Sequence, residues 1–173
     1  MKSSIKGIKI FKSNIYKDKR GYFKEVYKKK KLKNQQLIFH CTSSSKKNVL
    51  RGLHLQTKNS QAKFLTVIKG RVFDVLVDLR KDSKTFGKYY SIILSNQSYS
   101  SIYIPEGFAH GFCGLDKENI VYYLCSKYRE KNYEIGILWN DKDLNINWPI
   151  KKPILSKKDL KNISFKEYCT NYI

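Results

Sequence analysis

The chain has 173 residues, room for one domain but cramped for two. At 41% hydrophobic and 14% aromatic residues it can bury a core, which excludes wholesale disorder, and no apolar run approaches the roughly 18 residues of a membrane span. Lysine and arginine total 35 against 14 acids, and that excess of +21 asks for an acidic partner: nucleic acid, a membrane surface or a phosphorylated small molecule.

From the N-terminus onward, Met1 to Lys6 carries charge with no apolar stretch behind it, so no secretory signal is expected. Cys41, Cys113, Cys125 and Cys169 include no CxxC pair and read as reduced thiols of a cytoplasmic protein, Cys113 and Cys125 as packing residues. The basic clusters Lys28 to Lys33 and Lys151 to Lys161 are lysines, not arginine forks, and no zinc-finger or RNA-binding motif accompanies them. They read as solvated surface, with no nucleic-acid or membrane partner expected.

Short strands dominate the middle of the chain. Lys63 to Ile68 runs into a Lys69-Gly70 turn; Arg71 to Leu79 alternates, with Phe73, Val75, Val77 and Leu79 on one face and Asp74 and Asp78 on the other. Tyr89 to Leu94, Ser101 to Ile104, Ile120 to Cys125 and Gly136 to Trp139 complete the predicted series, separated by turns such as Pro105-Glu106-Gly107. Helical periodicity is weak except at Ser156 to Asn162, where Ser156 is the expected cap. This spacing predicts one all-β domain, a sandwich or barrel over residues 1–173 with an open end that lines a pocket.

His40, His54 and His110 are the only histidines. The stretch Pro105-Glu106-Gly107-Phe108-Ala109-His110 resembles one of the two signatures of the cupin superfamily, implying a jelly-roll fold with short peripheral helices. Many cupins hold a metal with that histidine and an earlier His-x-His pair. Here the earlier segment is His54-Leu55-Gln56, so no metal site is expected. Arg51 and Lys63 instead place cations beside two proton carriers, as an anionic substrate needs; a neutral histidine can remove a proton while a carboxylate orients it.

Several blocks, in order, resemble the dTDP-4-dehydrorhamnose 3,5-epimerase family. They are Asp18 to Glu25, Arg51-Gly52-Leu53-His54, Gln61-Ala62-Lys63, Val72 to Arg80, Thr85-Phe86-Gly87, Ile104 to Phe112, Ile137 to Asp141 and Leu155 to Asp159. The resemblance implies a cofactor-independent epimerase of a nucleotide-diphospho-4-keto sugar, serving surface polysaccharide sugar biosynthesis. It implies that His54 is the general base, Asp159 its carboxylate partner, Tyr123 the proton donor on the opposite face, and Lys63 the cation at the C4 oxygen. Arg20 and Arg51 match residues that hold the diphosphate, His110 a substrate-contacting histidine, and Phe23, Glu25, Glu134 and Lys158 further substrate-binding positions. A homodimer exchanging an N-terminal strand is implied as well.

Two features sit apart from that pattern. In an unbroken strand Arg51 and His54 face opposite ways, so a bend at Gly52 or the reach of the arginine must reconcile them. Where the family carries a Gln-x-Asn stretch at the nucleotide, this chain has Phe39-His40-Cys41, and Arg129 falls at or beside a nucleotide-side tyrosine. These departures suggest a base other than thymine, with a GDP-linked 4-keto sugar such as a heptose as one option. Inversion of C3 or C5 alone, and a non-catalytic sugar-nucleotide-binding cupin, are the alternative readings.

Overall fold

The structure, a computed structural model, describes residues 5–32 and 35–173. Met1 to Ser4, within the segment read for a secretory signal, and Lys33, the end of the first lysine cluster, lie outside the described residues. The strands are β1 (Lys9–Lys12), β2 (Ile15–Asp18), β3 (Gly21–Lys24), β4 (Phe39–Lys46), β5 (Leu50–Gln56), β6 (Lys63–Lys69), β7 (Arg71–Asp78), β8 (Tyr89–Ser95), β9 (Ser100–Ile104), β10 (Phe108–Gly114), β11 (Glu118–Cys125) and β12 (Glu134–Gly136). Two five-stranded sheets, ordered β1-β9-β6-β11-β4 and β12-β5-β10-β7-β8, face each other, and β2 and β3 form a separate hairpin. This is the jelly-roll sandwich expected from the sequence, with short helices at its periphery.

Three apolar layers hold it together. Between the sheets, Leu65, Val67, Ile102 and Val121 of the first meet Val72, Leu76, Phe108 and Phe112 of the second. Behind the second sheet, Leu53, Val75, Val77 and Ala109 pack against Leu144, Trp148 and Tyr168 of the C-terminal segment. Behind the first, Phe64, Tyr103 and Leu124 lie beneath Leu32, Tyr27 and Leu37. The second sheet is thus buried on both faces, and β7 answers with apolar residues on both of its sides, so that its alternation survives as a choice of layer. Phe73, Val75, Val77 and Leu79 face the C-terminal layer; Val72 and Leu76, on the same side as Asp74, face the sandwich interior.

Two sequence expectations need correction. The strand placed at Gly136 to Trp139 instead covers Glu134–Gly136; beyond it Ile137 still exchanges backbone hydrogen bonds with Leu53 and makes an isolated bridge to Ile163. The helix placed at Ser156 to Asn162 shrinks to a 3-10 turn, Asp159–Lys161. The α-helix proper is α1 (Phe165–Tyr172), started by Ser164 and Glu167 in a reciprocal capping box. No described helix is long and apolar enough to cross a membrane.

Candidate active site

A cavity of about 340 Å³ opens at one end of the sandwich, and its lining includes His54, Lys63, His110, Tyr123, Asp159, Arg51, Glu134 and Lys158. Sheet pairing brings the strand residues of this lining together, and the 3-10 turn Asp159–Lys161 supplies Asp159 with Lys158 beside it. His54 on β5 stands directly opposite His110 on β10, and Lys63 on β6 opposite Cys125 on β11, two residues beyond Tyr123. All four strands are interior to their sheets, whereas Phe39 and Glu134 of the same lining come from the edge strands β4 and β12.

The puzzle of Arg51 and His54 is resolved at Gly52. His110 pairs with His54 but Phe112 pairs with Arg51, so β5 carries one extra residue against β10, a bulge that returns both side chains to one face. Gly52 has φ of 125° there, and its peptide to Leu53 is cis. It also lies against another glycine: a Cβ on Gly52 would stand 2.5 Å from Gly111 Cα and 2.8 Å from the His110 carbonyl oxygen. The two strands approach this closely only because neither residue has a side chain.

Two His–Asp dyads result. His54 Nε2 lies 2.5 Å from Asp159 Oδ1, and Ser156 Oγ donates to Asp159 Oδ2 at 2.8 Å. Burial pushes the Asp159 carboxyl up, but the bonds from His54 and Ser156 outweigh it and hold the group below the usual aspartate range. With that carboxylate ionised, Nε2 of His54 carries the proton and Nδ1 the lone pair. His110 Nε2 meets Asp74 Oδ1 at 2.7 Å; both residues are buried, and Asp74 Oδ2 has no partner among the described residues. Neither Asp74 nor Ser156 stands in the sequence-predicted site. For Asp74 a signal existed, since alternation on β7 sets it on the face opposite Phe73.

Tyr123 exchanges a hydrogen bond of 3.0 Å with Ser43 Oγ, and its ring meets that of His110 edge-on at 6.4 Å. Burial raises its phenol pKa far above the ordinary value, so the hydroxyl keeps its proton near neutrality. Burial also lowers the Lys63 pKa, and among the described residues its ammonium makes no hydrogen bond or ion pair. Glu134, side chain 9% exposed, receives Arg129 Nε at 2.6 Å and Lys158 Nζ. Burial opposes ionisation there, but the two cations prevail and hold the carboxyl at about 2. Arg51 is braced by Ser45 Oγ and the Ser44 carbonyl.

Arg20, Phe23 and Glu25 do not join this group. They stand on or beside the β2–β3 hairpin, outside the cavity lining of their own chain. The Arg20 side chain is 84% exposed and paired with Asp18, Phe23 is 65% exposed, and Glu25 is bonded to Asn14 and Lys28. A base, a protonated acid and an unpaired cation facing one space can remove a proton beside a carbonyl, hold the resulting oxyanion and return a proton.

The model of the family described as dTDP-4-dehydrorhamnose 3,5-epimerase matches residues 2–167. A dTDP-4-dehydrorhamnose 3,5-epimerase of Shigella flexneri is 40% identical over 171 residues, 95% of this chain and 94% of that protein. A crystal structure of the enzyme of that name from Elizabethkingia anophelis superposes with a TM-score of 0.90 at 40% identity, covering 96% of each chain. A dTDP-6-deoxy-D-glucose-3,5-epimerase from Legionella pneumophila, solved in complex with dTDP-4-keto-L-rhamnose, gives 0.91 at 36% identity, over 95% of this chain and 90% of that one.

Proposed function

The chain belongs to the dTDP-4-dehydrorhamnose 3,5-epimerase family of isomerases, and from that premise we propose that it inverts C3 and C5 of a nucleotide-diphospho-4-keto sugar by proton transfer through an enolate. The C4 ketone acidifies the neighbouring C–H bonds. His54, with Nε2 fixed by Asp159, takes the proton on Nδ1; Lys63 holds the oxygen that becomes the enolate; Tyr123 returns a proton to the other face. The observation that carries this reading is the His54–Asp159 dyad sharing a cavity with the Tyr123 hydroxyl and an unpaired Lys63.

The relatives are named for dTDP-linked sugars, so a dTDP-4-keto-6-deoxyhexose is the first substrate we propose. Phe39 and Cys41 in the cavity wall favour a second reading, a GDP-linked 4-keto sugar such as a heptose. Arg20, Phe23 and Glu25 fit a homodimer in which the β2–β3 hairpin of one subunit reaches the cavity of the other. Incubation with dTDP- and GDP-linked 4-keto sugars in heavy water tests all of this. Deuterium at both C3 and C5 is expected; deuterium at one centre would make the protein a single-centre epimerase, and none on any substrate would leave a binding protein.

A further inference from the structure

The position of His54 rests on two supports. Its backbone is set by the bulge at Gly52, and its ring by the Asp159 carboxylate on the turn Asp159–Lys161. The two supports are distant in sequence, and one side chain outside the cavity lining joins them. Asn162 closes the C-terminal end of that turn, its backbone N–H on the Asp159 carbonyl at 3.4 Å. Its side-chain Nδ2 donates to the Gly52 carbonyl at 3.2 Å and to the Ile137 carbonyl at 3.3 Å. A bulge disrupts the ladder where it sits, and here a side-chain amide supplies a bond to the bulged segment. Ile137 in turn exchanges both backbone hydrogen bonds with Leu53, the residue before His54.

Gly136 makes room for this amide. It stands opposite His54 in the β12–β5 pairing, so a side chain there would project on the same face as the imidazole. A Cβ on Gly136 would lie 2.1 Å from Asn162 Oδ1 and 2.4 Å from its Cγ. Ile154 and Ile163 are bonded to the second sheet or its connections through their backbones. Between them, among the described residues, three side-chain contacts hold the turn in place: Lys158 on Glu134, Asp159 on His54, and Asn162 on Gly52 and Ile137. The first is half-exposed at the lysine, and the second is the dyad itself. The third is the one free to fix the dyad from outside.

We propose that Asn162 is a positioning residue for the general base: it clamps the Asp159 turn to the bulge of β5 and so holds the His54–Asp159 pair in the geometry that proton abstraction needs. The inference rests on the epimerase reading of the cavity and names a residue that acts through the dyad, without touching substrate. A reacting group misplaced by about 1 Å loses about a hundredfold in rate, so slack in this clamp registers in turnover.

Asn162→Ala should lower kcat by about tenfold and leave KM within about twofold, measured below the unfolding transition of each variant. Gly136→Ala, which pushes the same amide aside, should do likewise. The double variant should be no slower than the slower single, whereas independent effects would multiply to about a hundredfold. A second readout needs no substrate. The far-downfield NMR resonance of the proton between His54 and Asp159, identified by its loss in His54→Asn, should broaden or shift in Asn162→Ala. An unmoved resonance, wild-type kcat in Asn162→Ala, or multiplied effects in the double variant each overturns the clamp. A shifted resonance with no heavy-water exchange on any substrate, wild type included, brings down the epimerase reading and leaves the clamp on the dyad standing.

Discussion

On the proposed mechanism His54 and Tyr123 divide one task between two side chains, and their variants should fail differently. His54→Asn keeps a hydrogen bond to Asp159 but has no base; turnover should fall by about a thousandfold or more with nucleotide affinity unchanged. Unchanged turnover would remove the mechanism. Tyr123→Phe should retain His54-dependent exchange of ring protons with heavy water while product formation fails, which NMR of the sugar resolves. On the same mechanism Lys63 should set the alkaline limit. Burial lowers its pKa from the ordinary 10.5, so the ammonium is lost sooner than a free lysine's as the pH rises. Activity should fall on that limb, and Lys63→Arg should move the limb upward; a limb that stays in place would assign it to another group. His54 and His110 were legible as candidates because histidine is scarce and both sit in unusual settings. Tyr123 and Asp159 were not, since a strand tyrosine and an aspartate beside lysines look like core and surface, and only the resemblance picked them out.

Among the elements, the bulged strand β5 carries the most specific prediction. Gly52→Ala adds a Cβ where Gly111 Cα stands 2.5 Å away and asks alanine to adopt a φ of 125°. We expect a loss of about 3 kcal/mol or more in urea unfolding, together with loss of activity. Wild-type stability would mean that the bulge is not needed. Glu134 ties the loop after β11 to the turn that carries Asp159. Its carboxyl is held at about 2 against an ordinary 4.5, so the stabilisation is complete above about pH 4.5 and disappears as the pH falls toward 2. Glu134→Gln should therefore lower stability by about 2 kcal/mol at neutral pH, after screening at the half-exposed Arg129 and Lys158, and by little near pH 2. An equal loss at both pH values would count against the ion triad. Strands β6 to β9 and β11 were readable because period-two patterns and turn residues mark them. Strand β12 was misplaced because its three residues carry no period, and α1 was missed although Ser164 and Glu167 spell out its cap.

For the whole molecule the open matter is assembly. Tyr16, Tyr22 and Phe23 stand more than half exposed on the β2–β3 hairpin, an expensive arrangement for a lone subunit. If the hairpin completes a partner's cavity, co-expressed Arg20→Ala and His54→Asn chains should recover activity that neither has alone, up to about a quarter of wild type by random pairing in a two-fold dimer. No recovery, with mixed dimers verified by native mass spectrometry, would return Arg20 to its own subunit. The charge of +21 promised less than it seemed to, since most lysines serve the surface and a handful of cations face the cavity. The placement of the lining has a further consequence. On the proposed mechanism, His54, Lys63 and Tyr123 stand on interior strands, held on both flanks, and only Asp159 on a short turn, while Phe39, Glu134 and Arg129 belong to edge strands and a loop. Such a scaffold can acquire a new cargo by grafting its borders, and its stereochemical engine need not be rebuilt each time.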